Sequence, residues 1–424
     1  MNKQNWKEKT SLFLIQDETE FTYSDLYTAV SKYEKELRRE FEGAINSVVF
    51  QMGSNQFESY AKFIAALSLG KTVFLYSKEQ GRNQAYLDQV LTEIQKESLK
   101  ENGARFIVRT SGSSGPQFKL ILHDPNRFFD KYKKIGPHFK RTFAFSPAES
   151  IAGIETLLEV LTHELTLITS QDDLSPEVIG HLINRHKVDY FQTTPTFMNL
   201  MVVAKTLDPA QLSSLQKIAF GSEPSQSSVL AQFKKVLPSI KLVHTYGMSE
   251  IGIQKTETNS EDPTRIRLDS DYNPADIING LLHVKSLSKM LRYLNSDESP
   301  SPLGSEWFNT HDQVLLEDTW IKVLGRDSDL INIGGRKFFP AELEDKLRHI
   351  DHVQDVTVIA EKNEMVGTIL TALITLASTV DETEFRKSYK AFCEKNILSY
   401  MHPHKLKIRR DLVLGERLKK MRKL

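Results

Sequence analysis

Between residues 20 and 100 the apolar positions switch between two periods. In "TYSDLYTAVSKYEKELRREF" they recur at helical spacing, with Thr22 or Ser24 placed to cap the first turn. "NSVVFQM" and "KTVFLYS" are short, nearly continuous apolar runs, as buried strands are. The helical stretch "QFESYAKFIAALSLG" between them stops at Gly70. This order predicts a βαβ unit, the building block of parallel sheets. The pattern returns twice: "PEVIGHLINRHK" leads into the strand "VDYFQTT", which ends at Pro195, and "SSVLAQFKKVL" leads into "IKLVHTYG". "NSDESPSPLGSEW" reads as an exposed loop. From about residue 329, "INIGGRKFFPAELEDKLRHIDHVQDVTVIA" and "GTILTALITL" predict a Gly-Gly turn, an amphipathic helix and two strands. The expected fold class is therefore α/β. A large N-terminal domain with βαβ-built sheets spans residues 1–326, and a small C-terminal α+β domain spans 327–424, divided near "GRDSDL".

Composition narrows the function classes. Lys plus Arg (55) balances Asp plus Glu (55), so no global field favours nucleic acid or a membrane surface. An apolar content of 40% with 26% charged residues is ordinary for a globular enzyme. The single cysteine, Cys393, excludes an internal disulfide framework, suits a reducing compartment and reads as a packed small hydrophobe. The apolar run near the N-terminus is too short for a signal peptide, and no run approaches a membrane span. A soluble, cytoplasmic protein is expected.

Candidate chemistry sits in four stretches. "RTSGSSGPQFKL" places five small residues between the apolar runs "ARFIV" and "KLILH". Such a loop either points backbone N–H groups and hydroxyls at a phosphate or is a loose hairpin turn. It is not a Walker P-loop, because "KLILH" reads as a strand where that motif needs a helix. "HTYGMSEIG" sets Tyr246, Gly247, Ser249 and Glu250 at a strand's end, where open α/β sheets bind ligands. Tyr246 suits a flat base and Glu250 a Mg²⁺ ion; the bland readings of the three fragments are a turn tyrosine, a capping aspartate at 312 and a surface arginine at 326. "WFNTHD" ends in Asp312, a carboxylate suited to two hydroxyls or to capping. "VLGRDSDLINIGG" supplies Arg326, whose planar fork suits phosphate or ribose oxygens. "HPHK" lacks further ligands at metal spacing and reads as a turn.

The order of these stretches resembles the acyl-adenylate-forming superfamily of acyl- and aryl-CoA ligases, peptide-synthetase adenylation domains and luciferases. "TSGSSGPQFK", "TYGMSE", "THD" and "GRDSDLINIGG" follow the family's order. The links "SPAESIAG", "DYFQTTPTF", "LSSLQKIAFGSEPS" and "HVQDVTVIA" are similar to its connecting segments, over roughly residues 20–424. The resemblance implies that Thr110, Ser111, Gly112, Ser113, Ser114 and Gly115 close over the β- and γ-phosphates of ATP, with Lys119 at the loop's far end. It places Gly221, Ser222 and Glu223 beside adenine, Tyr246 on the base or the acyl pocket, and Gly247 in the same box. Ser249 then touches phosphate, Glu250 holds Mg²⁺, and Asp312 takes the ribose hydroxyls with Arg326 beside it. In "ERLKKMRKL", Lys419 matches the family's catalytic lysine, with Leu418 in place of a glycine and Lys420 as competitor.

The implied reaction activates a carboxylic acid, aryl or short to medium acyl, as its adenylate and then forms a thioester. The acceptor is CoA or a carrier protein's phosphopantetheine. "GGRKFFPAELE" tilts the reading to CoA, whereas residues 405–424, with nine Lys/Arg against two acidic residues, suit an acidic carrier. The same resemblance implies a rotating C-terminal domain, with a hinge within Asp327–Asp329, that presents Gly334 and Gly335 to the pantetheine arm. The chain departs from the pattern at four points. "PQF" adds a residue before Lys119, His311 replaces a glycine in "THD", and Ser150 stands where many relatives place a ring. Only about 109 residues precede the Gly-rich loop, implying a trimmed first subdomain. These departures keep a second class open: a non-catalytic relative that holds nucleotide or a carrier protein. A nucleic-acid binder using the basic tail is remote.

Overall fold

The computed structural model describes residues 3–42, 48–96, 103–110, 118–170, 174–223, 225, 227–297, 301–363, 367–377 and 379–410. The first predicted helix forms over Tyr23–Glu40, and Thr22 rather than Ser24 is its cap. Thr22 accepts from the Asp25 N–H while its own N–H donates to the Asp25 carboxylate, a reciprocal box worth about 1 kcal/mol. Ser24 instead donates its hydroxyl to the Lys7 carbonyl.

The predicted βαβ unit is present: strands Val48–Met52 and Thr72–Tyr76 pair in parallel around the helix Phe57–Ser68. They belong to a five-stranded sheet that continues through Arg105–Arg109 and Leu120–His123 to Arg292–Tyr293. The other two units feed an eight-stranded sheet, in which Tyr190–Thr193, Lys217–Gly221 and Lys241–Met248 run parallel side by side. Near-continuous apolar runs are what strands covered on both faces require, and Phe191, Ile218 and Phe220 are fully buried. A six-stranded antiparallel sheet follows, built on the long hairpin of Phe308–Glu317 and Trp320–Arg326.

The C-terminal content holds and is extended. Helix Pro340–Leu347 and strands Val353–Asn363 and Gly367–Leu376 are joined by helix Glu382–Asn396 and strand Lys405–Arg409. These elements enclose an apolar core of their own, centred on Leu343, Leu347, Val356, Leu370 and Ile374, with Cys393 packed inside it as expected. His402 and His404 contact backbone groups, as a turn requires, and among the described residues no cluster fit for a metal ion occurs. Among those residues, too, no helix is long and apolar enough to cross a membrane.

The described residues of 295–307, which are 295–297 and 301–307, are not all exposed. Asn295 clasps the backbone of Phe118 and Leu120, and the buried Ser301 hydroxyl meets His283 Nδ1 at 2.9 Å.

Helix Ile151–His163 shows how tightly the sheets constrain their surroundings. A Cβ on Gly153 would lie 2.1 Å from the Pro147 carbonyl oxygen, in the turn that leads into the helix. Gly→Ala within a helix normally stabilises by about 1 kcal/mol. Here the backbone clash opposes that gain, and overpacking costs about 1–3 kcal/mol. Gly153→Ala is therefore expected to lower the thermal midpoint, measured by calorimetry; a rise would show that the turn yields.

Candidate active site

The site gathers where parallel strands end. Gly221 and Thr245 are register partners on neighbouring strands, and a Cβ at 221 would sit 2.4 Å from the Thr245 carbonyl oxygen. Only glycine permits this approach. At Gly247 the obstacle is the returning hairpin strand, since a Cβ there would lie 2.6 Å from the Gly252 oxygen. Both glycines of the predicted boxes are thus explained by close backbone packing.

Tyr246 extends from the strand Lys241–Met248 to Asp312, donating its hydroxyl to Oδ2 at 2.6 Å. Asp312 and Arg326 are cross-strand partners in the long hairpin, which brings the Arg326 Nε to 3.7 Å from Asp312 Oδ1. Three residues from three separate motifs therefore form one linked group. Burial pushes the Asp312 carboxyl above the usual range. The Tyr246 hydroxyl and the Arg326 guanidinium oppose that rise, while the charges of Asp329 and Glu250 add to it. Tyr246 itself is raised well above an ordinary phenol, first by burial and then by Asp312.

Glu250 is buried, and its Oε1 accepts from the Tyr293 hydroxyl at 2.8 Å. The turn that carries it is held on every side. His123 Nε2 donates to the Ser249 carbonyl at 2.9 Å, Met290 N–H to the Glu250 carbonyl at 2.7 Å, and Ser288 Oγ to the Ile251 carbonyl at 2.7 Å. Burial holds His123 down at about 3, so it is neutral and carries its proton on Nε2. Below the turn, the buried Lys131–Glu155 ion pair grips the hairpin backbone. Lys131 donates to the Ile253 carbonyl, and Glu155 Oε2 accepts the Ile253 N–H at 2.8 Å.

The Gly-rich stretch is carried by a hairpin: Arg105–Arg109 and Leu120–His123 are antiparallel. Its foot is latched twice, by Thr110 N–H to the Lys119 carbonyl at 3.0 Å and by Lys119 N–H to Thr110 Oγ1 at 3.1 Å. Ser111, Gly112, Ser113, Ser114 and Gly115 lie outside the described residues, as do Lys419 and Lys420. The Lys119 ammonium rests over the Tyr293 ring, 4.5 Å from its centroid.

Two expected positions take on other contacts. Glu223 turns its Oε1 to the Thr196 N–H at 2.7 Å, closing the first turn of helix Pro195–Val203, while Ser222 is exposed in a left-handed conformation. Ser150 caps helix Ile151–His163 by accepting from the Gly153 N–H, a role a ring could not fill. His311 adopts φ 58°, the region that favours the glycine it replaces, and its Nδ1 lies 3.3 Å from Asp327 Oδ2. Sequence reading passed over Tyr293 and His123. "KLILH" announces His123 as the end of a strand but not its partner, and the "RYLN" of Tyr293 carries no local signature at all.

Comparison with known proteins finds relatives in both sequence and fold. Residues 71–270 match the AMP-binding enzyme family. The D-alanine–D-alanyl carrier protein ligase of Staphylococcus aureus (strain JH9) is 24% identical over 344 residues, covering 74% of this chain and 69% of the relative. The 2-succinylbenzoate–CoA ligase of Listeria monocytogenes serotype 4b (strain F2365) is 24% identical over 317 residues, covering 72% of this chain and 66% of the relative. The fold is shared with o-succinylbenzoate coenzyme A synthetase from Bacillus subtilis, solved in complex with ATP and magnesium ion. The TM-score is 0.74 at 18% identity, over 99% of this chain and 98% of that one. By its ordered motifs, its AMP-binding segment and its fold, the chain is similar to the acyl-adenylate-forming superfamily.

Proposed function

We propose that this protein condenses a carboxylic acid, aryl or short to medium acyl, with ATP and then transfers the acyl group to the thiol of CoA. One observation carries the reading. Asp312, Tyr246, Arg326 and Glu250 converge at the strand ends, joined through Tyr293 to the foot of the Gly-rich hairpin. This grouping supports reading Asp312 as the ribose acceptor, Glu250 as an oxygen ligand and the hairpin foot at Thr110 and Lys119 as the start of a phosphate site.

In the first step a carboxylate oxygen attacks the α-phosphorus, and the bond to the bridging oxygen breaks as pyrophosphate leaves with the electron pair. Asp312 accepts from the ribose hydroxyls while Tyr246 and Arg326 hold it in place. Thr110, the Ser111–Gly115 segment and Lys119 receive the β- and γ-phosphates, with Ser249 beside them. The backbone of Gly221–Glu223 and Gly247 borders the adenine. Lys419 donates to the oxygens of the reacting phosphoryl group, where charge develops. A divalent cation fits the donor set. Glu250 is a buried hard oxygen donor, and Mg²⁺ needs only one or two carboxylates when phosphates and water complete its shell. When bound, Mg²⁺ neutralises phosphate charge and polarises the α-phosphate. In the second step a thiolate attacks the acyl carbon and AMP departs. The units 1–326 and 327–424 alternate about Asp327–Asp329 between the two steps, bringing Gly334 and Gly335 to the thiol's arm.

A carrier-protein phosphopantetheine is the second acceptor considered. It is favoured by the carrier-protein ligase among the relatives and by the exposed Lys405 and Lys407 on the last strand, which suit an acidic partner.

Pyrophosphate release from ATP and Mg²⁺, over a panel of aryl, short and medium acids, tests the reading. Release with some acids and multiple turnover only with CoA is expected. Release that stays low with CoA selects the carrier. No release with any acid, while ATP still binds, overturns the reading in favour of a non-catalytic nucleotide binder. Lys419→Ala is expected to slow release by roughly 10²–10³-fold, and Lys420→Ala to leave it nearly unchanged.

The raised Asp312 carboxyl sets a pH dependence with a definite sign. Its ionised form accepts the ribose hydroxyls, so AMP affinity falls as pH drops through a midpoint above the usual carboxylate range. Tyr246→Phe removes an interaction that lowers this pKa and is expected to move the acid limb to higher pH. Asp312→Asn flattens it. AMP titrations across the mildly acidic range check both.

A further inference from the structure

We infer that Tyr293 is a positioning residue serving two parts of the nucleotide site at once: its hydroxyl aims the Glu250 carboxylate, and its ring seats the Lys119 ammonium. The inference rests on the roles proposed above for Glu250 and Lys119.

The geometry behind it is specific. Strand Arg292–Tyr293 is the edge of the five-stranded sheet, antiparallel to Leu120–His123, with Tyr293 opposite Ile121. The pairing is reinforced on either side: Leu294 N–H donates to the Leu120 carbonyl at 2.8 Å, and Asn295 accepts the Leu120 N–H at 2.8 Å. The tyrosine is thereby mounted on the far arm of the Gly-rich hairpin. From there it reaches across to a different sheet's turn, where its hydroxyl meets Glu250 Oε1 at 2.8 Å. The ring and the carboxylate are both buried, at 8% and 6% exposure, so this bond is shielded from competition with water. The exposed Lys119 lies over the ring face, a favourable seat for an ammonium.

A carboxylate with one oxygen engaged cannot rotate freely, so the other oxygen keeps a defined direction. Partners that orient a metal's ligand in this way commonly account for 10–100-fold in metal affinity. The ring also fixes how far Lys119 stands from Glu250. The two groups of opposite charge that meet the phosphate chain therefore share one rigid spacer. Neither function needs the tyrosine to touch substrate.

Two variants separate the halves. Tyr293→Phe keeps the ring and drops the hydroxyl; Tyr293→Leu drops both. Mn²⁺ binding in the presence of ATP, without any carboxylic acid, is followed by electron paramagnetic resonance of the free ion. ATP affinity in excess EDTA is measured by calorimetry. Tyr293→Phe is expected to weaken Mn²⁺ binding about tenfold while leaving metal-free ATP affinity within about twofold of wild type. Tyr293→Leu is expected to weaken both, and Lys119→Gln should reproduce the loss in EDTA even if Tyr293→Leu fails to fold. A purely structural tyrosine would not split the two readouts. An Mn²⁺ curve for Tyr293→Phe that superimposes on wild type overturns the inference, as does a metal-free ATP affinity that falls equally in both tyrosine variants. A wild-type protein whose ATP-dependent Mn²⁺ binding is absent, or survives Glu250→Gln intact, overturns the reading of Glu250 and this inference with it.

Discussion

A single buried ion pair anchors the strand-end geometry. Glu155 is fully inaccessible, and its carboxylate is matched by the Lys131 ammonium, the Tyr132 hydroxyl and the Ile253 N–H. Every one of those partners is itself fixed, two on helix Pro125–Ile135 and one on the hairpin that returns from Glu250. Removing one member of such a pair typically costs 3–5 kcal/mol, because the remaining charge is stranded. The pair therefore makes the hairpin's position nearly all-or-none with respect to the helices. Gly252 belongs to the same constraint. Its left-handed φ of 69° and its closeness to Glu155 and Ser288 leave no room for a side chain.

From that anchor the site extends by backbone contacts more than by side chains. The carbonyls of Ser249, Glu250 and Ile251 are all bonded to groups from other elements. The side chains of Ser249 and Glu250 are consequently the parts of the turn with chemistry left to offer. Asp312 and Arg326 reach the same place by a different route, as register partners in a hairpin whose irregularity falls between Gln313 and Val314, just past the acid. Preorganised groups of this kind need little rearrangement when a charged ligand arrives.

How much of this the sequence discloses depends on the range of the interaction. The βαβ units, the Thr22 cap and the C-terminal α+β unit follow from local periodicity, and the family from the order of short motifs. Tyr293 is invisible at that range. Its role arises because a strand far along the chain pairs with the strand after the Gly-rich loop, and no local pattern encodes that choice of neighbour. Glu223 illustrates the opposite difficulty. The motif assigns its segment to the adenine, but helix Pro195–Val203 needs an acceptor for the Thr196 N–H, and the carboxylate meets that local demand. Lys131 and Glu155 sit in amphipathic helices where charges ordinarily face water, and only the packed structure distinguishes this pair from a solvated one.

The link between Tyr246 and Asp312 also shapes the resting protein. A buried carboxylate such as Asp312 would, if left alone, carry the full penalty of desolvation without a partner. Here the Tyr246 hydroxyl and the Arg326 guanidinium supply internal partners, so no orphaned charge is buried at this position. If Asp312 receives the ribose as proposed, capture of a nucleoside is an exchange of contacts rather than the rescue of a stranded anion.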